Sequence, residues 1–123
     1  MLSKARRLLD EAAKTFDAEA YNAAGRAAYL AGLNAARALI YESTGRSLKT
    51  HKGVHTEFYR LARHDERIPS ELRSFLDVSY NLKMAADYEV EPESDVSPDV
   101  AKKSVEAAAR FVDKMAEIIE VGV

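Results

Sequence analysis

The chain has 123 residues, 47% apolar and 31% charged, with 18 bases against 20 acids and a net charge of −2. That balance suits one globular domain, 1–123, with a single core, and excludes both a disordered chain and a polycation built for nonspecific nucleic-acid binding. Cysteine is absent, which rules out disulfides and thiolate sites and fits a reducing cytoplasm, and no apolar run approaches the ~20 residues of a membrane span.

In chain order, Ala5, Leu8, Leu9, Ala12, Ala13 and Phe16 recur at helical spacing and predict a first amphipathic helix. Asp17 is placed to cap the next helix, which runs to about Tyr41 with Gly45 as its stop. That second helix is apolar or small on almost every side, with Ala27, Ala28, Ala31, Gly32, Ala35 and Ala36, so it should be the central and most buried element. A polar connection, 43–53, leads to a short third helix carrying Val54, Phe58, Leu61 and Ala62, and Gly53 suggests a turn at its start. Pro69 opens a fourth helix with two apolar faces, one of Leu72, Phe75, Leu76, Ser79 and Tyr80, the other of Val78, Leu82 and Ala85. The second face is expected to be a dimer interface. An acidic loop, EVEPESDVSPD, ends at the Ser97–Pro98 start signal of a last helix bearing Val105, Ala108, Ala109, Val112, Ala116 and Ile119. These patterns give an all-α, antiparallel up-and-down bundle of about five helices.

Three blocks carry a family likeness: RAAYLAGLNAARALI (26–40), THKGVHTEF (50–58) and NLKMAADYE (81–89). In this order and at these separations they resemble a small stand-alone HEPN domain. The resemblance implies a dimeric helical protein associated with nucleotides or RNA, often within toxin–antitoxin pairs, and a nucleotidyltransferase-type protein as a possible partner. In ribonuclease members an Arg is followed four to six residues later by a His, so that the Arg holds the scissile phosphate while the His moves a proton. Here Lys83 stands where that Arg would be and Tyr88 where the His would be. Lysine holds a phosphate without the bidentate fork, and tyrosine, with a pKa near ~10, is a poor base at neutral pH.

Without the likeness, Lys83 and Asp87 at i, i+4 read as a helix-surface ion pair or as the rim of a cleft. Asn22, Arg26 and Arg37 point the same way from the second helix and require acidic partners, such as Asp77 or Asp87, or an opening. Asn34 reads as a buried hydrogen-bonding residue, and His64 as exposed. His51 and His55 are also at i, i+4, but no third ligand lies nearby, so hydrogen bonding at the start of the third helix is expected rather than a metal site. No Gly-rich phosphate loop, zinc motif or DNA-reading signature is present, so no cofactor, metal or DNA recognition is expected.

The resulting expectation is a homodimeric binding and regulatory module whose ligand-binding residues are Arg26, Lys83, Asp87 and Tyr88, taking a nucleotide or a nucleotidyltransferase-type partner. One alternative is a metal-independent ribonuclease toxin, with Lys83 and Tyr88 as candidate catalytic residues and His51 or His55 as further proton carriers. Another is a purely structural helical interaction protein.

Overall fold

Helix α2 (Tyr21–Thr44) occupies the middle of the molecule, and the other long helices lie against it: α1 (Leu2–Asp17), α3 (His51–Ala62), α5 (Phe75–Tyr88) and α6 (Pro98–Val121). A single turn, α4 (Ser70–Arg73), precedes α5. This is a computed structural model. It describes residues 1–88 and 96–123, and the side chains of Ala86 and Tyr88 fall outside that description, as does the loop 89–95. All elements among the described residues are helical, as the apolar spacing predicts.

The small residues of α2 explain its place. Ala24, Ala28, Ala31, Ala35 and Ala36 are fully buried, and with so little side chain between them the neighbouring backbones approach closely. Gly32 is the extreme case, because the ring of Phe75 lies where its Cβ would be. Phe75 stacks on Phe111 of α6 at 4.9 Å between ring centroids, and Phe111 meets Phe58 of α3 at 5.2 Å. Burying each of these rings stabilises the fold by ~1.5–3 kcal/mol. Four helices thus meet around one aromatic cluster.

Three local expectations are corrected. Asp17 does not cap α2; it is the last residue of α1. The chain reverses instead through Glu19 in the left-handed region (φ 62), with the Glu19 and Ala20 amides donating to the carbonyls of Phe16 and Thr15. Those bonds close the end of α1 and leave α2 to begin after Ala20 without a side-chain cap. Second, the helix that follows Pro69 breaks at Ser74, whose hydroxyl bonds the Glu71 carbonyl at 3.2 Å, so six helices are described rather than five. Third, Gly53 is helical. Thr50 caps α3 by accepting the Gly53 amide at 3.0 Å, and a Cβ on Gly53 would come within 2.8 Å of that cap oxygen.

Other expectations hold. Gly45 ends α2 in the left-handed conformation (φ 74). Ser97 caps α6, with Pro98 in its first turn. Asn34 is buried and donates to the Leu30 carbonyl at 2.8 Å. No helix among the described residues is long and apolar enough to cross a membrane.

Candidate functional site

The expected ligand-binding residues converge on one carboxylate. Arg26 of α2 donates through Nε to Oδ1 of Asp87 at 2.8 Å, and its Nη2 bonds the same oxygen. Lys83, one turn before Asp87 on α5, places Nζ 2.7 Å from Oδ2. Hydrogen bonds from Lys83 and then Arg26 hold the Asp87 carboxyl below the usual carboxylate range. The i, i+4 ion pair read from the sequence therefore exists, and Arg26 joins it from α2. The Tyr88 side chain, the remaining expected member, lies outside the described residues.

One turn deeper, between α2, α3 and α5, is a polar cluster that the sequence expectation divided among unrelated roles. Tyr29 is fully buried, and its hydroxyl lies 2.9 Å from Nδ1 of His51 and 2.8 Å from Nε2 of His55. The other His55 nitrogen, Nδ1, is 3.3 Å from Oδ1 of Asp77 on α5. Tyr80 packs its ring against Tyr29, His51 and His55. Burial raises the Tyr29 hydroxyl above its ordinary value, which keeps it protonated. Burial lowers the His51 pKa, and the positive charges of Lys83, His55 and Arg37 lower it further. His51 therefore shares its surroundings with the expected ligand-binding lysine. The Arg37 Nε is buried and has no acceptor among the described residues.

The expected role for His51 and His55, hydrogen bonding at the start of α3, is present, and its partner is Tyr29. That partner was missed because a tyrosine within an Ala-rich apolar helix reads as core. The spacing of the two histidines on one face of α3 was the available signal. No group of three metal-ligating side chains exists among the described residues.

A family model described as the HEPN domain matches residues 1–119. The chain belongs to the HEPN family. It is also 31% identical, over 113 residues, to a UPF0332 protein of Archaeoglobus fulgidus, an alignment covering 92% of this chain and 87% of that protein. The helical architecture expected from the three sequence blocks is thus that of a HEPN domain.

The residues expected at a dimer interface lie on the other side of α5. Val78 is 65% exposed, Leu82 is half-buried and Ala85 is exposed. Val78 and Leu82 line a mostly apolar groove of about 400 Å³ between α5 and α6, together with Phe75, Val100 and Ala107; Ala85 does not line it. The hydroxyl of Ser104, in the same groove, is buried without a partner among the described residues. Glu71 stands on the groove wall along with Lys103 and Arg110, so both charge signs border the apolar floor.

Proposed function

We propose that this HEPN domain is a homodimeric binding and regulatory module that takes a phosphate-bearing ligand, a nucleotide in the simplest case, at Arg26 and Lys83. The observation that carries the reading is the convergence of these two cations, from two different helices, on one carboxylate. A phosphate presents the same chemistry: several anionic oxygens that accept from a guanidinium and an ammonium together. Asp87 acts as the resident anion, and a ligand competes with it or displaces it. The positive surroundings of His51, from Lys83 and Arg37, extend the cationic region toward α3. Dimerisation through the Val78–Leu82 groove fits an apolar floor bordered by Glu71 opposite Lys103 and Arg110, which a two-fold axis can pair with its own copy.

Calorimetric titration with a nucleoside triphosphate, performed on the parent and on Lys83→Ala, Arg26→Ala and Asp87→Asn, tests the ligand. The expected result is binding by the parent, loss in the first two variants and tighter binding in the third. A parent that binds neither nucleotide nor short oligonucleotide would overturn the reading.

A further inference from the structure

The two acids that the sequence offers as partners for Arg37 are both engaged elsewhere. Asp87 is held by Arg26 and Lys83, and Asp77 faces His55. Arg37 is half-buried and has no ion pair among the described residues, and its Nε–H is buried without an acceptor there. A cation desolvated in this way on the most enclosed helix is costly unless an anion answers it. Arg37 lies about three turns, ~16 Å, further along α2 than Arg26. Asp87 and Val96 are both held near the start of α2, by Arg26 and by the Asn22 side chain. The Asp87 carboxylate therefore sits at one end of a row of cations and Arg37 at the other. Lys83 and His51 link the two ends, because the charges of both Lys83 and Arg37 are felt at the His51 ring. Nδ1 of that ring faces the Tyr29 hydroxyl, and its Nε2 has no hydrogen bond among the described residues.

We propose that Arg37 and His51 form a second anion subsite, so that the ligand is a di- or triphosphate chain lying from Arg26 and Lys83 toward Arg37. This deepens the phosphate-binding reading and rests on it, because one phosphate has to sit at Arg26 and Lys83. A lone phosphate answers those two cations and leaves Arg37 as it is. In an oligonucleotide a sugar separates each phosphate from the next. In a polyphosphate chain a single bridging oxygen does, so the negative charge is continuous and matches an unbroken row of cations. Nucleotides and inorganic polyphosphate share this chemistry. The guanidinium fork of Arg37 can donate to two oxygens of the distal phosphate. His51 is faced by Tyr29 and Arg37 from α2, by His55 from α3, and by Tyr80 and Lys83 from α5, with Asp77 behind His55. In the free protein burial and these cations keep the ring neutral at ordinary pH. A phosphate lodged among the cations cancels their field and accepts from Nε2–H, so the ring takes up a proton on binding. Both ring nitrogens then donate, Nδ1 to the Tyr29 oxygen and Nε2 to the phosphate.

The test is calorimetric titration of the full chain with a nucleoside monophosphate, the matching triphosphate and inorganic tripolyphosphate. The parent should bind the triphosphate more tightly than the monophosphate. Arg37→Met, which keeps the buried stem and removes the charge, should weaken triphosphate binding roughly 10–100-fold, the range for lost hydrogen bonds to a charged group. Its affinity for the monophosphate should be unchanged, and Arg37→Lys should restore much of the loss. Lys102→Met, at an exposed position on α6, controls for net charge and should have little effect. Tripolyphosphate binding equal to that of the nucleotide assigns the site to the chain alone, and weaker binding assigns it to a nucleotide; the Arg37 dependence is expected in both. At pH 6.5, titrations in two buffers of different ionisation enthalpy should show more proton uptake for the parent than for His51→Gln. Triphosphate affinity that survives Arg37→Met, an equal loss in Lys102→Met, or equal proton uptake in parent and His51→Gln each overturns the second subsite while leaving the phosphate-binding reading intact. Failure of the parent to bind any of the three ligands overturns that reading as well.

Discussion

One edge of the Phe75 ring lies against the backbone of Gly32, so that a Cβ at Gly32 would overlap it and stand 3.0 Å from Cδ2 and 3.2 Å from Cζ. The ring is held in place by its stacking on Phe111. Gly32→Ala is therefore expected to destabilise the domain, although alanine is otherwise the better helix former. Overpacking of this kind costs about 1–3 kcal/mol, and Ala31→Leu and Ala35→Leu, at positions with no exposure, should cost as much. Urea unfolding checks this. Midpoints equal to that of the parent would show that α2 is not tightly enclosed.

Asp87→Asn removes the charge that Arg26 and Lys83 share while keeping the side chain's shape. Tighter nucleotide binding is expected, as the Proposed function requires, with little loss of stability. The Arg26 side chain is 45% exposed, and partly solvated ion pairs of this kind contribute ~0–1 kcal/mol. A variant that binds nucleotide more weakly than the parent would mean that Asp87 orients the ligand instead of competing with it.

His51 gives stability a pH dependence of definite sign. Its folded-state pKa lies below the ordinary value of 6.5, so the unfolded chain takes up a proton before the folded one does. Its contribution is present above about pH 6.5 and is lost as pH falls through that value toward the folded pKa. Asp87, Asp65 and Glu57 are also shifted downward, but from ordinary carboxylate values, so their contributions disappear in a more acidic window. Urea midpoints at pH 7.5 and about pH 5.5 should fall further for the parent than for His51→Gln. An equal fall in both proteins would place the acid sensitivity elsewhere.

Val78, at 65% exposure, is the most accessible apolar side chain on the groove. Val78→Glu should leave the monomer fold intact, because the side chain is mostly exposed, and should convert a homodimer to monomer in sedimentation at micromolar concentration. Covering the groove with a second copy would plausibly bury more than ~1,000 Å² in total. A parent protein that already sediments as a monomer would remove this interface from consideration.

The sequence alone determined the helical class, the centrality of α2, the end of α2 and the start of α6, because those depend on local causes: apolar periodicity, Gly45 at a stop, Ser97–Pro98 at a start. It also placed Lys83 and Asp87 one turn apart, since i, i+4 spacing is a property of a single helix. The Schellman-type reversal at Glu19 was not legible, because a non-glycine residue in that conformation carries no compositional mark. The break at Ser74 was likewise hidden, since nothing in the local residues forbids a continuous helix.

Only the tertiary structure decided which side chains meet across helices. Arg26 and Asp87 are separated by 61 positions, and Tyr29 lies 22 positions before His51 and 26 before His55. No pattern within one helix specifies such contacts. They follow from how closely the small residues of α2 let α3 and α5 approach, which is a consequence of packing volume and not of sequence spacing. The sequence grouped Arg26 with Lys83 and His51 with His55, and the packing of three helices brought His51 into the surroundings of Lys83.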